Sequence, residues 1–184
     1  MIYLLAGAPR CGKSTLAHDL SRRRNLPSVS TDLLRGVLMM VVPELREAMH
    51  ANDPQREAEV FYPHLRQTVA CSRIQLPHQL IEGVGFFPRH VAKLRLELSD
   101  AAVRCCFLGH TSPRPEDLSG GETNHRIYDT LDHAARTQLA ENVAAWSCDI
   151  RQDSAAYGLP FVDLAEHPFP EALQRAERHL LASG

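Results

Sequence analysis

The sequence predicts an α/β protein: a five-stranded parallel sheet with helices on both faces. Short apolar runs alternate with stretches of helical period along the whole chain, the pattern of strand–helix–strand crossovers. An uninterrupted Gly-x-x-x-x-Gly-Lys-Ser spans residues 7 to 14, between the first apolar run and the first helical stretch. In a parallel sheet that junction lies on the edge where ligands bind.

Residues 2–6 form an apolar run that reads as a buried strand, and Lys13–Arg24 carries Leu16, Ala17 and Leu20 at helical spacing. Residues 27–30 are a brief second strand ending at Thr31, the expected N-cap of a helix. That helix uses Leu33, Leu34, Val37, Leu38 and Val41, and Pro43 is expected to stop it. A polar helical stretch over 53–74 places Phe61, Leu65 and Val69 at i, i+4 and i+8, with Pro63 expected to kink or divide it. Gln79–Gly83 reads as the third strand, and Val91, Leu94 and Leu98 mark the helix after it. Residues 101–108, apolar except for Arg104, form the fourth strand. Residues 109–122 hold Pro113, Pro115, Gly120 and Gly121 and read as a loop. One long helix over 123–153 then carries Ile127, Leu131, Ala135, Leu139, Val143, Trp146 and Ile150 on one stripe. Residues 160–164 form the fifth strand, and Pro170 opens a last helix with Leu173, Ala176 and Leu180. No repeat, low-complexity tract or linker interrupts the series, so residues 1–184 read as one domain.

The octapeptide carries the chemistry. Binding a phosphate needs several backbone N–H groups turned toward one anion, and Gly7 and Gly12 supply the tight turns. Ala8, Pro9, Arg10 and Cys11 complete the loop, and Thr15 follows in the first helical turn. Lys13 can reach the β- and γ-phosphates of a nucleoside triphosphate, and the Ser14 hydroxyl can ligate Mg²⁺. The helix that starts at Lys13 adds the positive end of its dipole. Only Lys13 and Lys93 are lysines in the chain, and one of them fills the position that the motif requires.

The bulk composition narrows the partners. A net charge of −2 and a pI near 6.5 leave no positive field to recruit nucleic acid or a membrane surface. No apolar run is long enough to span a bilayer, and the chain opens on its first strand, so no targeting segment is expected. Cys11, Cys71, Cys105, Cys106 and Cys148 are odd in number and scattered, which fits reduced thiols and a cytoplasmic location.

A phosphate loop alone does not separate switches, transporters and kinases. The guanine-reading Asn-Lys-x-Asp of GTPase switches is absent from the sequence. Leu118-Ser119-Gly120-Gly121-Glu122 is close to a transporter ATPase signature, but no apolar strand ending in Asp-Glu follows it. Ser119 and Glu122 have capping-box spacing instead. Other residues point to a kinase. Asp32 and Arg35 follow the second strand and share a helix face. They read either as a carboxylate for an acceptor hydroxyl with a guanidinium for its anion, or as a first-turn acid and a solvated arginine. Glu82, at the end of the third strand beside the phosphate loop, can hold Mg²⁺ through water.

The loop, Ser30-Thr31-Asp32-Leu33-Leu34-Arg35 and Leu80-Ile81-Glu82-Gly83-Val84 with its later Pro88 together resemble 2-phosphoglycerate kinases. More distantly the chain is similar to gluconate kinases, polynucleotide kinases, zeta toxins and adenylate kinases. The resemblance implies a three-layer P-loop NTPase fold with strand order 2-3-1-4-5. It implies a substrate arm over about 32–78 and a short lid over about 109–126. It makes Asp32 the general base or hydroxyl ligand and Arg35 a substrate-anion contact, and it sends lid arginines, here Arg114 and Arg126, to the transferring phosphate. Glu82 stands where an Asp is usual. The expected function is ATP- and Mg²⁺-dependent phosphoryl transfer to a hydroxyl of a small anionic metabolite. The alternatives are a nucleoside, nucleotide-sugar or polynucleotide-end kinase, and a nucleotide-binding regulator without turnover.

Other residues are read as structural. Ten histidines show no metal-ligand spacing, with His18 and His179 on helix surfaces and His64 and His78 near the arm. Cys11 is a small loop filler or, with a thiol activated by the helix terminus, an oxidation sensor. Arg10 either helps hold nucleotide or faces solvent. Trp146 belongs to a core stripe.

Overall fold

The computed structural model describes residues 1–98, 103–118 and 130–182. In chain order the elements are β1 (Ile2–Gly7), α1 (Lys13–Arg24), β2 (Ser28–Ser30), α2 (Thr31–Leu38), α3 (Pro43–His50) and α4 (Pro54–Gln75). They continue with β3 (Gln79–Gly83), α5 (Pro88–Leu98), β4 (Val103–Gly109), a 3-10 turn (Pro115–Leu118), α6 (His133–Tyr157), β5 (Phe161–Asp163) and α7 (Phe169–Leu181). The strands pair in the order β2-β3-β1-β4-β5, and every pair is parallel.

Central position explains the composition of β1. All six of its residues are buried, as a strand covered on both faces requires, and so it reads as an unbroken apolar run rather than an alternation. On one face α1 and α7 lie together, joined by Arg23 to Glu177 at 2.8 Å. On the other, α4, α5 and α6 pack in sequence, with Arg66 on Glu97 at 2.6 Å and Arg89 on Asp153 at 2.9 Å. Phe87 stacks on the half-buried Trp146 between α5 and α6, as a core stripe predicts. Register brings the functional ends level: Ser30 and Leu5 both pair with Glu82, Ala6 with Gly83, and Gly7 with Leu108. Among the described residues, no helix is long and apolar enough to cross a membrane.

The helical region after β2 differs from expectation. Ser30, not Thr31, caps α2, its hydroxyl accepting the Asp32 N–H at 3.2 Å. This frees the Thr31 hydroxyl to donate to the Val84 carbonyl at 2.7 Å. α2 ends at Leu38, short of Val41, and Pro43 opens α3 rather than closing α2. Proline at the first helical position has no N–H to lose there. The expected apolar stripe is buried only in part, with Leu34 and Leu38 packed against the core. Leu33, Val37 and Val41 are 69%, 58% and 74% exposed, while Thr31 and Arg35 face inward.

Two further boundaries moved. α4 runs unbroken through Pro63, which lies exposed on its surface. α6 begins only at His133, where Asp132 caps it by accepting the Ala135 N–H at 2.8 Å. Leu131 therefore precedes the helix, and Ile127 lies outside the described residues.

Candidate phosphate-binding site

The loop after β1 is shaped by its closeness to β4. Gly7 has φ 140°, and a Cβ there would stand 1.8 Å from the Leu108 carbonyl oxygen, so only glycine fits. The next N–H, of Ala8, donates to that same oxygen at 3.0 Å. The loop then turns back at Gly12, φ 82°, into α1. No side chain among the described residues caps α1, and its first turn holds no acid. An uncapped helix start of this kind suits an anion, with a partial positive charge behind its leading N–H groups.

Lys13 is buried and folds back over the loop, donating to the Ala8 carbonyl at 2.6 Å. Burial pushes its ammonium below the ordinary lysine range, opposed by the charges of Asp32 and Glu82, while Arg35 adds to the depression. A polyanion in the loop would supply the missing counter-charge. Cys11 is fully buried, and burial pushes its thiol up to about 12. That is the opposite of an activated sensor thiol, and supports the filler role. Phe169, on the first turn of α7, lays its ring against Gly12, where a Cβ would meet it at 2.7 Å.

The expected Mg²⁺ residues are brought together. The Ser14 hydroxyl donates to Glu82 Oε2 at 3.1 Å, 68 residues away in sequence. Among the described residues, no group of three or more His, Cys, Asp or Glu side chains could hold a metal. Mg²⁺ fits this sparse set, because it keeps several waters and takes one or two carboxylates beside substrate phosphates. The longer Glu82 fits too, since its carboxylate already reaches the Ser14 hydroxyl.

Asp32 stands at the same sheet edge. Its Oδ1 accepts the Val84 N–H at 3.3 Å and an Arg35 Nη1–H at 3.0 Å, while the side chain stays 54% exposed. Arg35 is buried, and its other terminal nitrogen contacts the Glu57 carboxylate on α4. The guanidinium thus sits between two acids rather than in solvent. Glu57 was missed in the sequence, although it lies four residues before Phe61 and so extends the buried Phe61–Leu65–Val69 stripe.

The expected lid arginines divide. Arg126 lies outside the described residues. Arg114 is exposed and forks onto Asp117 at 2.8 and 3.1 Å, with Glu116 at 3.3 Å. These contacts hold the Asp117 carboxyl down at about 2. Arg10 reaches this segment from the phosphate loop, donating from Nε and Nη2 to the Leu118 carbonyl at 3.0 and 2.8 Å. It does so from a left-handed backbone conformation, φ 65°, that is uncommon outside glycine.

No family model matches the chain, and no curated protein matches it. Solved structures do. A shikimate kinase from Bacteroides thetaiotaomicron is 14% identical with a TM-score of 0.60, covering 100% of this chain and 99% of its own. A sugar kinase from Janibacter sp. HTCC2649 is 15% identical, TM-score 0.56, covering 97% and 93%. A gluconokinase from Sinorhizobium meliloti 1021 is 16% identical, TM-score 0.54, covering 97% and 90%. With the strand order and the loop geometry, these matches make the architecture a three-layer P-loop NTPase fold of the kind that small-molecule kinases share.

Proposed function

We propose that the chain is an ATP- and Mg²⁺-dependent kinase acting on a hydroxyl of a small metabolite. The observation that carries this is the convergence at one sheet edge of Lys13, the Ser14–Glu82 pair and Asp32. The three similar structures carry kinase names, and their likeness supports the same reaction class. Catalysis of this kind rests on positioning and charge neutralisation more than on covalent help.

In this reading residues 7–15 cradle the triphosphate, with Lys13 on the β- and γ-phosphates. Ser14 and Glu82 hold Mg²⁺, which neutralises phosphate charge when bound. The acceptor oxygen attacks the γ-phosphorus while the bond from that phosphorus to the β,γ-bridging oxygen breaks. ADP leaves, and the hydroxyl proton passes to the Asp32 carboxylate. Arg114 and Arg126 belong to a lid over about 109–126 that closes on the transferring phosphate, for which Arg114 must leave Asp117. Residues 32–78 form the acceptor arm of a single domain. Arg35 orients Asp32 and contributes its positive charge to binding an anionic acceptor. Five free thiols support a cytoplasmic setting.

Phosphotransfer from MgATP to a panel of phosphorylated acids, sugar acids, sugars and nucleosides tests the proposal. Transfer to one class, abolished in a folded Lys13→Ala protein, is the expected result. Unchanged ATP affinity and turnover in Lys13→Ala would remove the phosphate-loop assignment on which the reading stands.

A further inference from the structure

Glu57 is a buried carboxylate with no part in the reaction just described. It lies on the first turns of α4 at 6% exposure, and the atom it meets is a guanidinium nitrogen of Arg35 on α2. That guanidinium does three things at once. One end donates to Asp32 Oδ1 at 3.0 Å, and the other contacts Glu57. Between them the side chain lies across Gly85, where a Cβ would come within 2.7 Å of Arg35 Cδ and 3.0 Å of Nε. Gly85 therefore leaves a slot that the arginine fills, and the turn after β3 is built around it.

Asp32 has few other constraints. It sits on the outer side of α2, more than half exposed, and its remaining contact is the Val84 N–H at 3.3 Å. An aspartate so placed can swing into solvent unless the guanidinium that holds it is itself held. Burying a charged guanidinium is unfavourable unless a matched anion accompanies it. Burial also pushes the Glu57 carboxyl above its ordinary range, with Arg35 pulling it back. Neither charge is comfortable without the other.

We infer that Glu57 is a positioning residue: it pins Arg35 in the slot over Gly85, and through Arg35 it aims the Asp32 carboxylate at the acceptor hydroxyl. This rests on the kinase reading above, and it adds a residue on α4 to a site otherwise built from the phosphate loop, β3 and α2. It also explains why a mostly polar helix places a glutamate on its apolar stripe.

The test separates aiming from plain stability. ADP formation from MgATP is measured with water as acceptor, and with whichever panel compound is phosphorylated. Glu57→Gln keeps the shape and removes the charge; kcat should fall at least tenfold, while MgATP affinity stays within twofold. In an Asp32→Asn background, Glu57→Gln should then cost nothing further, because the aimed group is gone. The paired replacement Arg35→Met with Glu57→Met restores an apolar contact, and apolar substitutes for buried ion pairs are often neutral or stabilising. That protein should fold and melt like the parent and still turn over slowly.

Parental kcat in folded Glu57→Gln, recovery of kcat in the Met pair, or an additional loss in the Asp32→Asn background would each overturn the inference. If Glu57→Gln does not fold, the Met pair decides alone. A parent protein that forms no ADP under any condition fails differently: the kinase reading falls first, and the role of Glu57 with it.

Discussion

Asp32 is the residue on which the proposed chemistry turns. It is an ionisable group at the carboxyl end of a parallel sheet, held by one backbone N–H and one guanidinium, and open to solvent on its other side. General-base assistance is worth roughly a hundred- to ten-thousand-fold. Asp32→Asn should lower transfer by that order with MgATP affinity nearly intact. Asparagine keeps the shape and still accepts from Val84, so near-normal turnover would show that Asp32 only braces the helix start. Single-turnover kinetics beside calorimetric nucleotide binding separate the two outcomes. Lys13 and Asp32 were legible because each sits beside a recognisable local signal. Glu57 was not, because its meaning comes from Arg35, which lies on another helix.

Elements show how few local contacts anchor the site edge. The start of α5 is held by His90, whose Nδ1 accepts the Phe87 N–H at 3.0 Å while Nε2 meets Glu59 at 3.1 Å. That pair of contacts requires the neutral ring with its proton on Nε2. Burial sets the folded pKa of His90 below the ordinary 6.5. The unfolded chain then binds the proton more readily, so stability is intact above 6.5 and is lost as pH falls through and below it. Thermal melts from about pH 7 to about pH 5 should show this loss, and His90→Gln should flatten it. An equal acid slope in His90→Gln would place the titrating group elsewhere. The element boundaries that moved have a common cause. Helix ends are set by how the leading N–H groups are satisfied: Ser30 and Asp132 each accept one, and Pro43 has none to satisfy, in ways periodicity does not register.

At the scale of the molecule, the phosphate loop is a point where several elements meet at the sheet edge. Leu108 on β4 shapes its entry, Phe169 on α7 covers Gly12, Glu82 on β3 engages Ser14, and Arg10 ties it to Leu118. A ligand that fills the loop therefore stabilises contacts from several elements together. Ligand at a hundred times its dissociation constant adds about 2.7 kcal/mol to folding stability. MgATP should raise the melting temperature of the parent accordingly, and should leave that of Lys13→Ala unmoved. A shift of equal size in both proteins would mean that nucleotide binds elsewhere.

The sequence by itself determined the architecture and the place of the candidate site. A Gly-x-x-x-x-Gly-Lys-Ser between an apolar run and a helix encodes its own backbone turn, and alternating periods encode a parallel sheet; both signals act over a few residues. Even the Ser14–Glu82 pairing was foreseeable, since both lie at strand ends that a parallel sheet brings level. Only the tertiary structure decided which face of α2 is buried, and that Arg35 rests between Asp32 and Glu57. It alone paired Arg114 with Asp117 and folded a buried Lys13 back onto the Ala8 carbonyl. Those outcomes depend on charges meeting across elements, where burial and pairing compete, and no short window of sequence contains both partners.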